Sequence, residues 1–381
     1  MKMVNKKTFK ERYLCHPNKY IVALILILSI SSFFFLDRKS FQREQIVDDG
    51  EIIKAEVVQV ISERDFTEED DTFVVTTQEL LTEVPIGDTT KLVTLTNNFS
   101  PLKAGDQIYV QAFSYEDFNE SYEIIAVERD RGLFLLGIFF FFLVVATSGR
   151  KGINAFIALI FSFSVIFTFM IPRILSGANP VSTSLIGAVL ILLGTLYVSY
   201  GFNRKSLSAL IGISSTLLFV GLVAHFLVYV MNFTGASSEE AIFLTFEVKN
   251  TINLIGLLVA GITIAAIGVL DDIAITQASV VSELVLTDPT LGRSQLFKKA
   301  MALGRDHISA VVNTLVLAYT GAALPLVLLF FLGDYPIGYL VSNELIAEEI
   351  VRTLVASAGL VLAVPITTLV AVTLFKKKRQ V

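Results

Sequence analysis

Long uncharged stretches alternate with short charged ones over most of this chain, and runs such as Leu133 to Thr147 and Leu207 to Met231 hold almost no charge at all. About twenty apolar residues in a helix cross the hydrocarbon core of a bilayer, so runs of this kind predict spans. Eight follow: Tyr20 to Leu36, Leu133 to Thr147, Ile153 to Ile171, Val181 to Gly201, Leu207 to Met231, Thr251 to Leu270, Ile308 to Leu332 and Leu354 to Phe375. Between Ser40 and Asp130 the period changes. Ile52 to Ile61, Thr72 to Thr77, Leu92 to Thr96, Gln107 to Phe113 and Tyr122 to Val127 show partial period-two alternation and predict five strands. Gly87-Asp88 and the stretch Pro101 to Asp106 supply turn chemistry between them. The expected fold class is an α-helical polytopic membrane protein of about eight transmembrane helices with one small extracytoplasmic β-rich domain, a five-stranded barrel or sandwich.

Composition agrees with lipid as the solvent. The chain of 381 residues is 54% apolar and 17% charged, with a mean hydropathy of +0.68. Its net charge of −5 hides a split: residues 37 to 131 hold 22 Asp and Glu against 9 Lys and Arg, or −13, which leaves +8 for the rest. The expected organisation is a basic N-terminus at 1–19, an anchor at 20–36, an acidic β-rich domain at 37–131, a seven-helix core at 132–375 and a basic tail at 376–381. A basic flank before an apolar run also begins a signal peptide. Phe33-Phe34-Phe35-Leu36 lacks the small-x-small cleavage pattern, so the run reads as a retained anchor; cleavage would leave a seven-span core.

Charge bias also orients the spans. Alternation from an inside N-terminus places eighteen Lys and Arg in the cytoplasm, among them Arg150, Lys151, Arg204, Lys205, Arg293, Lys298, Lys299, Arg305 and Lys376 to Arg379. Short outer loops hold Arg173, Lys249 and Arg352. Both termini are therefore expected to be cytoplasmic in a cell-membrane protein, with residues 37–131 outside.

Several classes of chemistry lose their warrant. The single cysteine, Cys15, excludes a disulfide framework. Walker A, Rossmann-glycine, HExxH and GxSxG patterns are missing, which argues against ATP-driven transport and the commoner membrane hydrolases. The pI near 5.4 speaks against nucleic acid. Enzymatic activity and a cofactor are not expected. Glu68-Glu69-Asp70-Asp71 reads either as a divalent-cation site or as a solvated loop.

Candidate chemistry lies at membrane depth. Continued as a helix past the sixth span, Asp272, Thr276, Ser279 and Glu283 fall at steps of four, three and four and share one face, with Asp271 beside them. Carboxylates facing hydrocarbon are costly, so the face meets protein or water; alternatively the span ends near Asp271 and the remainder is an amphipathic surface helix. A second stripe opens the seventh span at Asp306 and His307 and continues through Ser309, Asn313 and Thr320. Were the stripes to face one another, Asp271, Asp272, Glu283, Asp306 and His307 would gather into a cation or proton site, with Asn313 orienting it or serving as glue between helices. For His225 a packing or interfacial role is expected. Asn253, Gly256, Ala260 and Thr263 form a small-residue packing face, and Pro172, Pro325 and Pro365 bend or end spans.

Three stretches, AIGVLDDIAITQASVVSEL at Ala266 to Leu284, LGRDHISAVVNTLVLAYTGAALP at Leu303 to Pro325 and NELIAEEIVRTLVASAGLVLAVPITT at Asn343 to Thr368, resemble the YibE/F family of bacterial membrane proteins. The resemblance extends over Val57 to Thr373 and implies the multi-span topology rather than an activity. The Asp271-Asp272 pair departs from the family pattern of a single Asp preceded by Met, and Asp271 aligns with it better. The functional expectation is a permease-like transporter of a small solute or ion, proton- or cation-coupled. The alternative is a scaffold or sensor whose acidic outer domain meets an envelope partner; an intramembrane enzyme built on two acidic residues is a third reading.

Overall fold

A computed structural model describes residues 52–376 apart from 68–73, 88, 99, 116–117, 248–251 and 334. The expected anchor, the Glu68 to Asp71 run, Lys249 and the tail after Lys376 lie outside the described residues. The chain divides into two compact units, one ending at residue 147 and one beginning at residue 148.

The first unit holds five antiparallel strands, β1 (Ile52–Thr67), β2 (Val74–Ile86), β3 (Thr89–Asn97), β4 (Gln107–Tyr115) and β5 (Phe118–Val127), in the order β3-β2-β1-β4-β5. Three strands joined by hairpins, with the fourth returning beside the first, make a Greek key. β1 carries the architecture: residues 52–56 pair with β4, residues 56–67 pair with β2, and two bulges bend the strand between Val57 and Ser62. The sheet curls until Lys91 on β3 lies 5.5 Å from the ring of Tyr122 on β5. Inside sit Val57, Leu80, Val84, Leu95, Ile108 and Val110. The loop after β3 is closed by side-chain amides: Gln78 Oε1 accepts from Leu102 N at 2.7 Å and from Asn97 Nδ2 at 3.0 Å. Lys54 and Glu128 form an ion pair that raises the ammonium pKa above its ordinary 10.5. β2 includes the described part of the expected strand, residues 74–77, and runs on to Ile86; its inward positions include polar Gln78 and Thr82, which mask the alternation there. Helix α1 (Asp130–Ser148) completes the unit and is apolar on all sides.

The second unit is helical: α2 (Arg150–Val165), a π-helical turn (Ile166–Met170), α3 (Ile171–Leu175), α4 (Pro180–Tyr200), α5 (Arg204–Val230), α6 (Glu239–Glu247), α7 (Leu254–Thr287), α8 (Arg293–Ala322), α9 (Leu324–Leu332), α10 (Ile337–Ser342) and α11 (Glu344–Phe375). Among the described residues, six helices are long and apolar enough to cross a membrane, or seven when α8 and α9 count as one bent span. The expected total of eight is not reached within these bounds.

α5, α7 and α11 pack on one another; α4 adjoins α5 and α7, α8 adjoins α7 and α11, and α2 adjoins α4. Small residues allow the close approach. A Cβ at Gly212 on α5 would stand 2.2 Å from Thr367 Oγ1 and 3.0 Å from Thr367 Cα, so that pair of backbones touches only because the residue is glycine. The expected packing face is inward, with Gly256, Ala260 and Thr263 buried. Large residues point the other way, Phe219, Leu222, Phe226 and Leu369 among them.

Helix bounds differ from those of the apolar runs in three places. The helix of the sixth apolar run continues past Leu270, as the polar stripe required, and Ile273, Ala274, Gln277, Ala278, Val281 and Val285 keep it packed to Thr287. The seventh begins fifteen residues early, at Arg293, and ends at Ala322; Leu324–Leu332 then leaves at 65°. Pro325 therefore occupies the first turn of α9, where its missing N–H is no loss, and stands at the break, as expected of a proline that bends or ends a span. The last begins at Glu344, capped by Asn343, whose side chain accepts from Leu345 N at 3.1 Å. Arg352, expected in a loop, is thus part of α11. Pro172 opens α3 behind the π-helical turn, and Pro365 lies inside continuous α11.

Candidate functional site

The two polar stripes have different surroundings. On α7, Asp271 is partly buried and points toward α4. Thr195 Oγ1 lies 3.5 Å from Asp271 Oδ2 and 3.4 Å from the carbonyl of Leu192, and one hydroxyl hydrogen serves only one of them at a time. Asp271 Oδ1 is enclosed and has no hydrogen-bond partner. Asp272, Thr276 and Glu283 are exposed, and Ser279 is half-buried with its hydroxyl donated to Ile275 O at 2.6 Å. The α4–α5 junction brings two titratable groups within electrostatic reach of this stripe: the Tyr200 phenol beside Asp271 and Asp272, and the Lys205 ammonium beside Glu283.

α8 contributes nothing to that arrangement. Asp306, Ser309, Asn313 and Thr320 are exposed and His307 is half-buried. No hydrogen bond or ion pair among the described residues joins Asp306 or His307 to Asp271, Asp272 or Glu283, and no group of three or more His, Cys, Asp or Glu is placed to hold a metal. The expected gathering of both stripes is not what the fold produces. The reason is rotational: α8 turns Leu296, Ala300, Gly304 and Leu315 inward, which carries the polar stripe off the contact face. His225 is exposed on α5.

The real junction of α7, α8 and α11 is built on a residue the polar stripes did not single out. Gln277 is 3% exposed; its Nε2 donates to Ala300 O at 3.0 Å and to Thr368 Oγ1 at 2.7 Å. Gly304 leaves the space for it, since a Cβ there would meet Val364 Cγ1 at 2.5 Å and Gln277 Oε1 at 3.0 Å. Its flanks Ala274, Ala278 and Val281 are all inward residues, and that is the signal in the sequence that would have found it.

A second polar group lies near the N-terminus of α11. Glu344 Oε1 accepts from Thr234 N at 2.5 Å, Thr234 Oγ1 at 2.9 Å and Gly235 N at 3.1 Å, which ties the α5–α6 loop to α11. Gly235 has φ +70°, and a Cβ there would meet Leu254 O at 2.6 Å, so this loop depends on glycine. One turn on is Glu348, 8% exposed, with Arg352 a further turn along.

A 34-residue helix is ~51 Å long and the hydrocarbon core is ~30 Å thick, so α7 is longer than lipid requires. With its cap Asn253 at one boundary, Asp271 stands ~27 Å further on, close to the other. Long apolar helices joined through glycine and alanine, with leucine and phenylalanine turned outward, define a multi-pass membrane protein. The sequence model of the YibE/F-like protein family matches residues 136–377, well over half of the chain. The chain belongs to that family. The matched region takes in the helical core and none of the sheet, a shorter reach than the resemblance back to Val57. No curated protein and no solved structure matched the chain.

Proposed function

We propose that the helical core is a permease-like transporter of a small solute or ion and that Asp271 is its coupling carboxylate. One observation carries the reading: at the far end of a span, Asp271 keeps a covered oxygen without any donor, beside a hydroxyl shared with a backbone carbonyl. Uncompensated polar groups at membrane depth are expensive and persist where an ion or solute meets them. Asp272 and Tyr200 flank it, and Lys205 with Glu283 continues a polar track along the exposed face of α7. On the charge bias of the loops, that track opens to the cytoplasm and the N-terminus of α11 faces outward.

Reconstitution of the full chain into liposomes holding a pH-reporting dye, with an imposed membrane potential, tests the reading. Wild-type protein is expected to carry a proton or cation current above that of empty liposomes. Asp271→Asn should return it to background, and Asp306→Asn should leave it unchanged. An Asp271→Asn variant as active as wild type, or a wild type no different from lipid alone, overturns the assignment.

A further inference from the structure

The N-terminal end of α11 holds two complementary polar atoms that the transporter reading has not used. Glu348 is 8% exposed and Ser237, from the α5–α6 loop, hydrogen-bonds its carboxylate, yet Oε1 is enclosed with no partner. One turn along, Arg352 gives Nη1 to Glu349 at 3.0 Å, while its Nε is also enclosed and without a partner. Residues four apart on a helix are neighbours, and an acid–arginine pair at that spacing ordinarily joins. Here the half-exposed arginine turns to Glu349 instead, and a covered acceptor atom and a covered donor atom are left unpaired one turn apart on the helix. Buried polar atoms without partners are costly, so the place is made for a group that supplies what both lack.

Three elements enclose it. α11 supplies Glu348, Glu349 and Arg352; the α5–α6 loop supplies Ser237 and is fixed by the Glu344 latch; α8 supplies Tyr319, within electrostatic reach of Arg352 and Glu349. The free carboxylate oxygen calls for an N–H donor and the free guanidinium N–H for an acceptor. A cation alone would meet Arg352, and an anion alone would meet Glu344, Glu348 and Glu349. A small molecule with an ammonium and a carboxylate on adjacent atoms answers both at once.

We propose that Glu348 and Arg352 form a solute site for a small zwitterion of the α-amino acid class, the ammonium on Glu348 Oε1 and the carboxylate on Arg352 Nε. Along α11, Glu348 stands about one and a half turns past the cap Asn343, ~7.5 Å, whereas Asp271 lies ~27 Å past the cap of α7. The site is therefore distinct from the coupling carboxylate. This inference rests on the transporter reading and names its substrate class.

Purified full chain in detergent, titrated with the common α-amino acids one at a time and followed by thermal unfolding and calorimetry, tests it. At least one amino acid is expected to bind. Acetate and methylammonium, each half of the ligand, should not. Glu348→Gln and Arg352→Gln should each weaken binding about tenfold or more, the scale of one lost hydrogen bond to a charged group. Asp306→Asn should bind as wild type does. Should either variant aggregate, carbodiimide labelling of Glu348 in the wild-type chain replaces it, and bound amino acid should protect that residue. No binding amino acid, binding undiminished in both variants, equal binding of acetate, or labelling unaffected by ligand overturns the proposal. Uptake of the bound amino acid into proteoliposomes separates the two readings. Binding without uptake or current sinks the transporter and keeps the site; current without a binding amino acid does the reverse.

Discussion

α7 and α8 are neighbours of similar length, both patterned with polar residues at helical steps, and they spend those residues in opposite ways. Sixteen of the 34 residues of α7 are buried, against four of the 30 of α8. Around α7 the helices α4, α5, α8 and α11 close on several sides, so a polar residue there must be satisfied from a neighbour, as Gln277 is, or remain in want, as Asp271 does. α8 touches its neighbours along one narrow line through Ala300 and Gly304, and Asp306, Asn313 and Thr320 ride outside that line. Periodicity says which residues share a face. Only the packing decides whether that face has become an interior.

The largest test of this contrast is a glycine on the crowded side. Gly212→Val puts branched carbon where Thr367 already stands, with a backbone atom among the obstacles, and over-packing of that kind costs ~1–3 kcal/mol or more. The expected result is a marked fall in the thermal midpoint and loss of the monodisperse peak in size exclusion. On α8, Gly321→Ala meets nothing within 4 Å and should leave both measurements unmoved or slightly improved, because alanine is the better helix former. Equal effects at the two positions would mean that the crowding described around α5 and α11 is absent.

A smaller effect is expected from the amides. Gln277→Leu loses the bonds to Ala300 O and Thr368 Oγ1 and leaves both acceptors among apolar neighbours, at a cost of ~1–2 kcal/mol. Asn313→Leu on the exposed face of α8 should stay within ~0.5 kcal/mol of wild type. The midpoints of the two variants, measured side by side, decide it. A loss at Asn313 as large as that at Gln277 would show that α8 has a partner on its outer face.

Cysteine scanning on a Cys15→Ser background maps the same contrast without touching stability. Substitutions at Asp272, Thr276 and Glu283 should react with an impermeant maleimide, and those at Ala274, Ala278 and Val281 should not. Reaction from the cytoplasmic side alone would also fix the orientation expected from the loop charges. Uniform reaction along Leu270 to Thr287 contradicts the packed face of α7.

Much of this architecture is legible in the residues, and the failures have physical causes. Each of the seven apolar runs from Leu133 onward falls in or across a helix, since hydropathy over twenty residues is set by the solvent and needs no knowledge of neighbours. The helix of the sixth apolar run continues through Ile273 to Thr287 because protein contacts carry it on, and hydropathy does not report neighbours. The Glu348 and Arg352 pair is harder to read: charged residues near a loop read as loop, although Asn343 followed by Glu344 and apolar residues at helical steps is a local cap signal. Asp271 was visible as a carboxylate at membrane depth. That its company would be Thr195 and Tyr200, and not Asp306 and His307, depends on the rotation of α8, and that is fixed by Ala300 and Gly304, more than a hundred residues from Thr195.

The smallest expected effect lies in the turn that joins the two helices. Asp288 Oδ1 accepts from Thr290 N at 3.0 Å and from Thr290 Oγ1 at 2.5 Å, and Lys299 and Lys376 are nearby, so the Asp288 carboxyl is held below its ordinary 3.8. A carboxylate with a depressed folded-state pKa adds stability above its unfolded value, and the contribution disappears as the pH falls through the folded value. Thr290→Val removes the hydroxyl donor and should lower the thermal midpoint slightly at neutral pH, with the gap to wild type closing as acid protonates Asp288. The residue lies at the surface and is only partly covered, so the effect on stability is modest, and salt should shrink the share owed to the two lysines. A gap that widens in acid would mean that the protonated carboxyl is the bonded form. The turn would then hold α7 against α8 by some contact other than this one, and the register that brings Gln277 opposite Ala300 would have to be set from the helix faces alone.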